Sequence, residues 1–211
     1  MKKQNTNLSK IMRVLTRLFP EPKCALVYHT PLELLIAVIL SAQCTDKKVN
    51  EVTQKLFQKY RTLDDYVSAM PSEFEKDIYS TGFYKNKTKN ILAAARTIKK
   101  DFAGKVPKTM EEMIMIPGAG RKTANVVLGE LYGYAEGIAV DTHVIRLTRL
   151  LGLTKHRDAV KIERDLMVIV PKKDWVRFSH LFILYGRAYC PAHCKHGDCP
   201  LAPFYVTRPE E

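Results

Sequence analysis

The sequence predicts an all-α fold. Three observations carry that expectation: apolar residues recur at helical spacing through most segments, capping residues stand where those segments start, and no stretch alternates with period two for long enough to form a strand. The connections are a few residues long, and no low-complexity linker interrupts the 211 residues.

Taken in order, Leu8, Ile11, Met12, Leu15, Leu18 and Phe19 keep helical spacing until Pro20 stops the run. In TPLELLIAVILSAQ, Thr30 is placed to cap, Pro31 suits the first helical position, and Glu33 sits three residues after the cap, as a capping box requires. Thr45 or Asp46 opens a helix running to Tyr60, and Ser72 with Glu75 opens another that stops near Gly82. NKTKNILAAARTIKKDFAG sets Ile91, Leu92, Ala95 and Ile98 on one face and lysines on the other, and closes at Gly104. Thr109 with Glu112 repeats the capping-box spacing before a short helix that ends at Pro117 and Gly118. Further helices begin near Arg121 and after Asp141, and Trp175, Phe178, Leu181, Phe182 and Leu184 supply a last apolar helix face.

Charge narrows the function classes. Lys plus Arg number 34 against 22 Asp plus Glu, a formal net charge of +12 that points to a polyanion, nucleic acid before anionic membrane. The N-terminus has charges and a proline where a secretory signal needs an apolar run, and no run approaches transmembrane length, so the chain reads as intracellular. Five cysteines in a reducing compartment are poor disulfide candidates. Three of them crowd into Cys190–Cys199, which raises the question of metal ligation.

The stretch IMIPGAGRKTANVVLGELYG is the most informative. Its two glycines, Gly118 and Gly120, stand one residue apart, whereas a nucleotide-binding loop separates its pair by four, so that reading fails. A helical corner with a solvated lysine is the plain alternative. The whole spacing suits a helix-hairpin-helix: a short helix ends in IPGAG, the glycines permit positive φ and close backbone approach, and a second helix begins with free N–H groups that hold a phosphate without reading base sequence. Arg121, Lys122 and Thr123 fall on its first turn. The helix N-terminus and Arg121 both disfavour an ammonium at Lys122, and a neutral amine is a nucleophile able to form a Schiff base with a sugar carbon. Asp141 follows the apolar run Ile138, Ala139, Val140 and is placed to cap the next helix. A helix of about 13 residues and a return loop bring it back toward Lys122, since such a helix spans only about 20 Å. The pair then combines a nucleophile with an acid group.

IPGAGRKTANVV followed by AVDTH resembles endonuclease III, the family of DNA glycosylases and abasic-site lyases of base excision repair. PLELLIAVILSAQCTD, STGFYKNKTKNI and LYGRAYC stand in the family's order, so the likeness runs over nearly the whole chain. It implies a two-lobed helix-hairpin-helix DNA glycosylase fold: a six-helix barrel over 24–138, a second lobe from 1–23 and 139–211, and a DNA groove between them with Lys122 facing Asp141. It implies that Lys122 forms the Schiff base and that Asp141 assists attack and stabilises charge on the sugar. Relatives that only remove a base carry another residue at the lysine position, so Lys122 implies a bifunctional enzyme. Oxidised pyrimidines are the substrates that the family resemblance implies, the base being selected by pocket shape and not by the Lys122–Asp141 pair. Gln43 matches a gap-filling glutamine and Phe83 an intercalating wedge, the alternatives being a polar residue at a helix C-terminus and an ordinary core aromatic. Arg121, Lys85 and Lys87 are expected to neutralise phosphates. The partner is double-stranded DNA containing damaged bases or abasic sites, with no membrane, and the protein is expected to act as a cytoplasmic, nucleoid-associated monomer. A base-removing glycosylase without lyase activity and a non-catalytic helix-hairpin-helix module are the competing readings.

The tail departs from the family. The resemblance implies a four-iron cluster on Cys-x6-Cys-x2-Cys-x5-Cys, whereas this chain reads CPAHCKHGDCPLAPFYV. Aligning YGRAYC and CPL makes Cys190 and Cys199 the first and third ligands, puts His196 near the second and Tyr205 at the fourth, and leaves Cys194 displaced. The expectation is that the [4Fe-4S] site is degenerate and no cofactor is held, with a Cys3His cluster or zinc on Cys190, Cys194, Cys199 and His193 or His196 as the alternatives. Leu201, Phe204 and Val206 are then expected to lie back on the last helix. Cys24 and Cys44 read as buried small hydrophobes.

Overall fold

The computed structural model describes residues 2–194 and 197–206, with side chains from Asn7 onward. Among these residues there is no strand, and the α-helices are α1 (Lys2–Leu18), α2 (Pro31–Leu40), α3 (Asp46–Lys59), α4 (Leu63–Ser68), α5 (Pro71–Ile78), α6 (Tyr84–Asp101), α7 (Met110–Met113), α8 (Arg121–Tyr132), α9 (Thr142–Leu150), α10 (Ala159–Ile169) and α11 (Trp175–Ala188). The chain divides into two compact units, one spanning Cys24–Gly133 and the other made of the chain before Cys24 and after Gly133.

The first unit is built around α2, whose residues Leu34 to Leu40 are all buried and which packs against α3, α6 and α8. Thr30 accepts from the Glu33 N–H at 3.2 Å, while the Glu33 carboxylate accepts from the His29 N–H at 2.6 Å, one residue beyond the reciprocal bond of a capping box. Tyr60, Tyr66 and Phe74 join α3, α4 and α5, with ring centroids 5.2 to 6.1 Å apart. Two elements differ from the sequence reading. α5 begins at Pro71 rather than at a Ser72 cap, because the fixed φ of proline suits the first helical position. α4 is too short for apolar periodicity to reveal and is fixed instead by a full capping box between Thr62 and Asp65.

The second unit packs α1 and α9 against α11, with Leu8, Ile11, Leu15, Val144, Leu147, Phe178, Leu181, Phe182 and Tyr185 in its core. α9 and α11 approach so closely that a Cβ at Gly186 would lie 2.5 Å from His143 Nδ1. Ile138, expected in the barrel, is buried here with Val140, because the chain has already left the first unit when α8 ends at Tyr132. α10, capped by Asp158, buries a narrow stripe of Ile162 and Leu166. In the tail Leu201 is fully buried and Phe204 partly so, as expected, whereas Val206 is largely exposed, its side chain touching Gly152 and its N–H donating to Leu150 O at 2.8 Å.

Candidate active site

The hairpin is seated by its apolar residues. Thr109 caps α7 by accepting from the Glu112 N–H at 3.3 Å, and Met110, Met113, Ile116 and Ala119 are buried beneath it. At Gly118 φ is +81°, and an added Cβ would stand 2.9 Å from Asn90 Cβ of α6, so a side chain is refused twice over. Gly120 departs from the expected positive φ: it is extended at φ −69°, and a Cβ there would meet nothing within 4 Å. What its missing side chain leaves is a bare end to α8, whose first turn has neither a side-chain cap nor an acidic residue. The orphan N–H groups and the positive end of the helix dipole therefore favour an anion at this end of α8.

α8 buries Ala124, Val127 and Leu128 and turns Arg121 and Lys122 to solvent, with Thr123 half-buried. The Lys122 ammonium has no hydrogen-bond or ion-pair partner among the described residues. Ile114 and Met115, which sequence reasoning did not single out, are 54% and 63% exposed on the same hairpin. No periodic signal marks them, because α7 ends before the turn they occupy.

Asp141 is the N-cap of α9. Its Oδ1 accepts from the Val144 N–H at 2.8 Å, which is the capping role weighed from the sequence. Capping occupies one oxygen, and among the described residues Oδ2 has no partner. The carboxylate is half-buried and fixed in orientation by the cap.

Both expected wedge residues carry left-handed backbone. Gln43 has φ +53° and Phe83 φ +49°, two of the three non-glycine residues with positive φ among those described. Such backbone costs on the order of 1–3 kcal/mol and persists where the surroundings impose it. Gln43 is exposed three residues beyond the end of α2, and Phe83 is 63% exposed at the start of α6, which removes the core-aromatic alternative. Truncating Phe83 to alanine should weaken processing of a base stacked in duplex more than incision of a preformed abasic site, because extrusion costs a few kcal/mol and is cheaper where no base is stacked. Equal loss on the two substrates, measured under single turnover, would contradict the wedge.

Lys87 is placed differently from the sequence reading. Instead of reaching phosphate it is 4% exposed, and its ammonium donates to Thr81 O at 2.8 Å, while its N–H donates to Phe83 O at 3.1 Å. Desolvation lowers its pKa. The lysine thus pins the turn that presents Phe83, and Lys85 is the exposed cation beside it. Binding measured against salt separates the two: Lys85→Ala should lower the magnitude of the log K against log salt slope by about 1, whereas Lys87→Met should leave the slope unchanged.

In the tail the structure gathers the three cysteines that the sequence marks as candidate ligands, the displaced Cys194 included. The Sγ atoms of Cys190, Cys194 and Cys199 lie within 4.8 Å of one another, with Cys194 and Cys199 3.1 Å apart. Cys190 and Cys199 are buried and Cys194 is half-buried. The Tyr205 hydroxyl donates to Cys190 Sγ at 3.7 Å, and Arg146 of α9 donates to the Cys190 carbonyl. Burial, reinforced by the Cys194 contact, pushes the Cys199 thiol up. His196 lies outside the described residues. A four-iron cluster places each thiolate on a different iron, so its ligands spread around a cube. Among the described residues, three thiols this close, with the Tyr205 phenol beside them, do not fit it.

A family profile described as HhH-GPD superfamily base excision DNA repair protein matches residues 36–172. The endonuclease III of Synechocystis sp. is 48% identical over 205 residues, covering 96% of this chain and 93% of its own. The chain belongs to this family. Two solved structures share its fold at a TM-score of 0.91 and 41% identity, covering 96% of this chain and 95% of theirs: a non-covalent endonuclease III–DNA complex and a trapped endonuclease III–DNA covalent intermediate. The family match spans the hairpin, Lys122 and Asp141, and it ends before the cysteine tail. Among the described residues no helix is long and apolar enough to cross a membrane.

Proposed function

We propose that the protein is a bifunctional DNA glycosylase and abasic-site lyase of base excision repair. The observation that carries the reading is the exposed amine of Lys122, which meets no partner among the described residues, on the first turn of an uncapped helix in the hairpin. Phosphate held by the α8 N–H groups and Arg121 sets a sugar near that amine. The neutral amine attacks the sugar carbon C1′, and the base leaves with the bonding electrons. The nitrogen lone pair then opens the C1′–O4′ bond to give an imine with O4′ protonated, and the imine acidifies C2′, whose proton is lost as the 3′ phosphate leaves by β-elimination. Asp141 is assigned to the proton lost by the amine and to the positive charge developing on the sugar. Gln43 and Phe83 are assigned to the gap left by the flipped nucleotide. One chain supplies every residue named, so the reading needs no second copy and the protein is taken as an intracellular monomer.

Oxidised pyrimidines are the proposed substrates, by kinship with endonuclease III. A panel of duplexes, each with one lesion, tests the reading. Excision coupled to β-elimination products and to a borohydride-trapped adduct is expected on oxidised pyrimidines. Base release that leaves the strand intact would instead identify a glycosylase without lyase activity, and no turnover on any lesion would leave a DNA-binding module.

A further inference from the structure

The tail from Cys190 to Tyr205 gathers more sulfur than packing needs. A free cysteine buried for packing behaves as a small hydrophobe and has no reason to meet another. Here three thiols from a 10-residue stretch converge, and the Cys194 and Cys199 thiols both point at one acceptor, Tyr189 O, at 3.6 and 3.2 Å. Two donors on one carbonyl, 3.1 Å apart, make a crowded arrangement for neutral thiols.

The scaffold that holds them is well made. Cys190 follows α11 with its N–H on Tyr185 O at 3.2 Å and its carbonyl on Arg146, the Cys194 N–H closes a turn on Pro191 O at 3.0 Å, and the Ala202 N–H closes another on Cys199 O at 2.8 Å. Tyr185 and Tyr205 brace the site from within: the Leu201 N–H donates to the Tyr185 hydroxyl at 2.9 Å, and the two hydroxyls are 3.4 Å apart.

We propose that Cys190, Cys194 and Cys199 bind one thiophilic divalent ion, zinc by preference, as three thiolates, in the place where the family carries a four-iron cluster. Zinc–sulfur bonds of about 2.3 Å in a tetrahedron set the sulfurs roughly 3.8 Å apart. The observed separations, 3.1 Å for one pair and no more than 4.8 Å for any, bracket that edge. A thiolate set selects zinc over the harder divalent ions. Binding releases three thiol protons to solvent, and the site then carries a net charge of −1. The Tyr205 O–H directed at Cys190 Sγ and the Arg146 guanidinium on the Cys190 carbonyl both favour that charge. Among the described residues none joins the three thiols as a fourth ligand, and a water molecule is assigned to that position on the side of half-buried Cys194, which is also the route by which the ion reaches the site.

The full chain, purified under reducing conditions, is analysed for zinc, iron and sulfide, stripped with chelator, and titrated anaerobically with cobalt(II) alone. One zinc per chain as purified is expected, then one equivalent of cobalt with the visible bands of a tetrahedral thiolate site, displaced by zinc. Zinc should also raise the melting temperature of the stripped protein, as any ligand of the folded state does. Cys194→Ser should lose the cobalt bands and the melting shift while still folding, since Cys194 is the least buried of the three. Cys190→Ser should lose the same signals if it folds. Four irons with sulfide and broad visible absorption would overturn the proposal, as would reduced protein that gives no cobalt bands, zinc uptake unchanged in Cys194→Ser, or a Cys194–Cys199 disulfide in the protein as isolated.

Discussion

Replacing Lys122 with alanine is expected to abolish the borohydride-trapped enzyme–DNA adduct and strand cleavage at abasic sites, while binding to duplex falls little. The asymmetry follows from where the two functions reside. On the proposed reading phosphate is held by backbone N–H groups at the bare start of α8 and by Arg121, none of which the substitution removes. The covalent step has one candidate amine placed beside that anion site. Lys122 is exposed and meets no described partner, so its truncation leaves no buried group unsatisfied and the fold is expected to keep its melting temperature. Gel analysis after borohydride treatment, run beside a binding titration at the same salt, reads both quantities. An undiminished adduct would mean that another amine does the chemistry, and a collapse of binding in step with the adduct would place Lys122 in the clamp rather than the reaction.

The hairpin was legible before any coordinates because its signals are local. Thr109 and Glu112 start α7, which ends at Met113 rather than at the expected Pro117 and Gly118. Those two residues lie in the turn that follows, and α8 begins within four residues of Pro117, so short-range rules determine the corner. The same holds for Asp141, whose capping bond to Val144 spans three residues. Lys87 was not legible. It sits among Lys85, Lys89 and other polar residues on what sequence alone takes for a solvated face, and only the fold-back of the turn at Thr81 onto the start of α6 encloses it. Gly120 was half legible: the glycine was flagged, but for a backbone angle it does not adopt.

The tail failed for a different reason. Register against a family pattern assumes that loop lengths are kept, and one residue deleted between Cys190 and Cys199 removes that assumption. Spacing alone then leaves Cys194 out of register though nearby, and in three dimensions the turn closed by Pro191 and the turn after Cys199 return both thiols to the end of α11. Tyr205 stands where the resemblance implies the last ligand, and its hydroxyl reaches Cys190 Sγ.

Asp141→Asn should cut turnover at a base-bearing site by at least ~10²-fold, the usual lower scale for a lost acid–base group. The choice of asparagine matters because Asp141 also caps α9, and aspartate and asparagine are about equally good caps. The amide oxygen can still accept from the Val144 N–H, so the helix start and the melting temperature should survive while the negative charge is lost. Asp141→Ala, by contrast, should lose the cap as well, at about 1 kcal/mol, together with the activity. Comparing the two variants by thermal melting and single-turnover excision separates the roles carried by the two oxygens. If the asparagine variant turned over at near-normal rate, Oδ1 on Val144 would be the whole function of the residue, and the proton and charge assigned to Asp141 would have to be handled by another group.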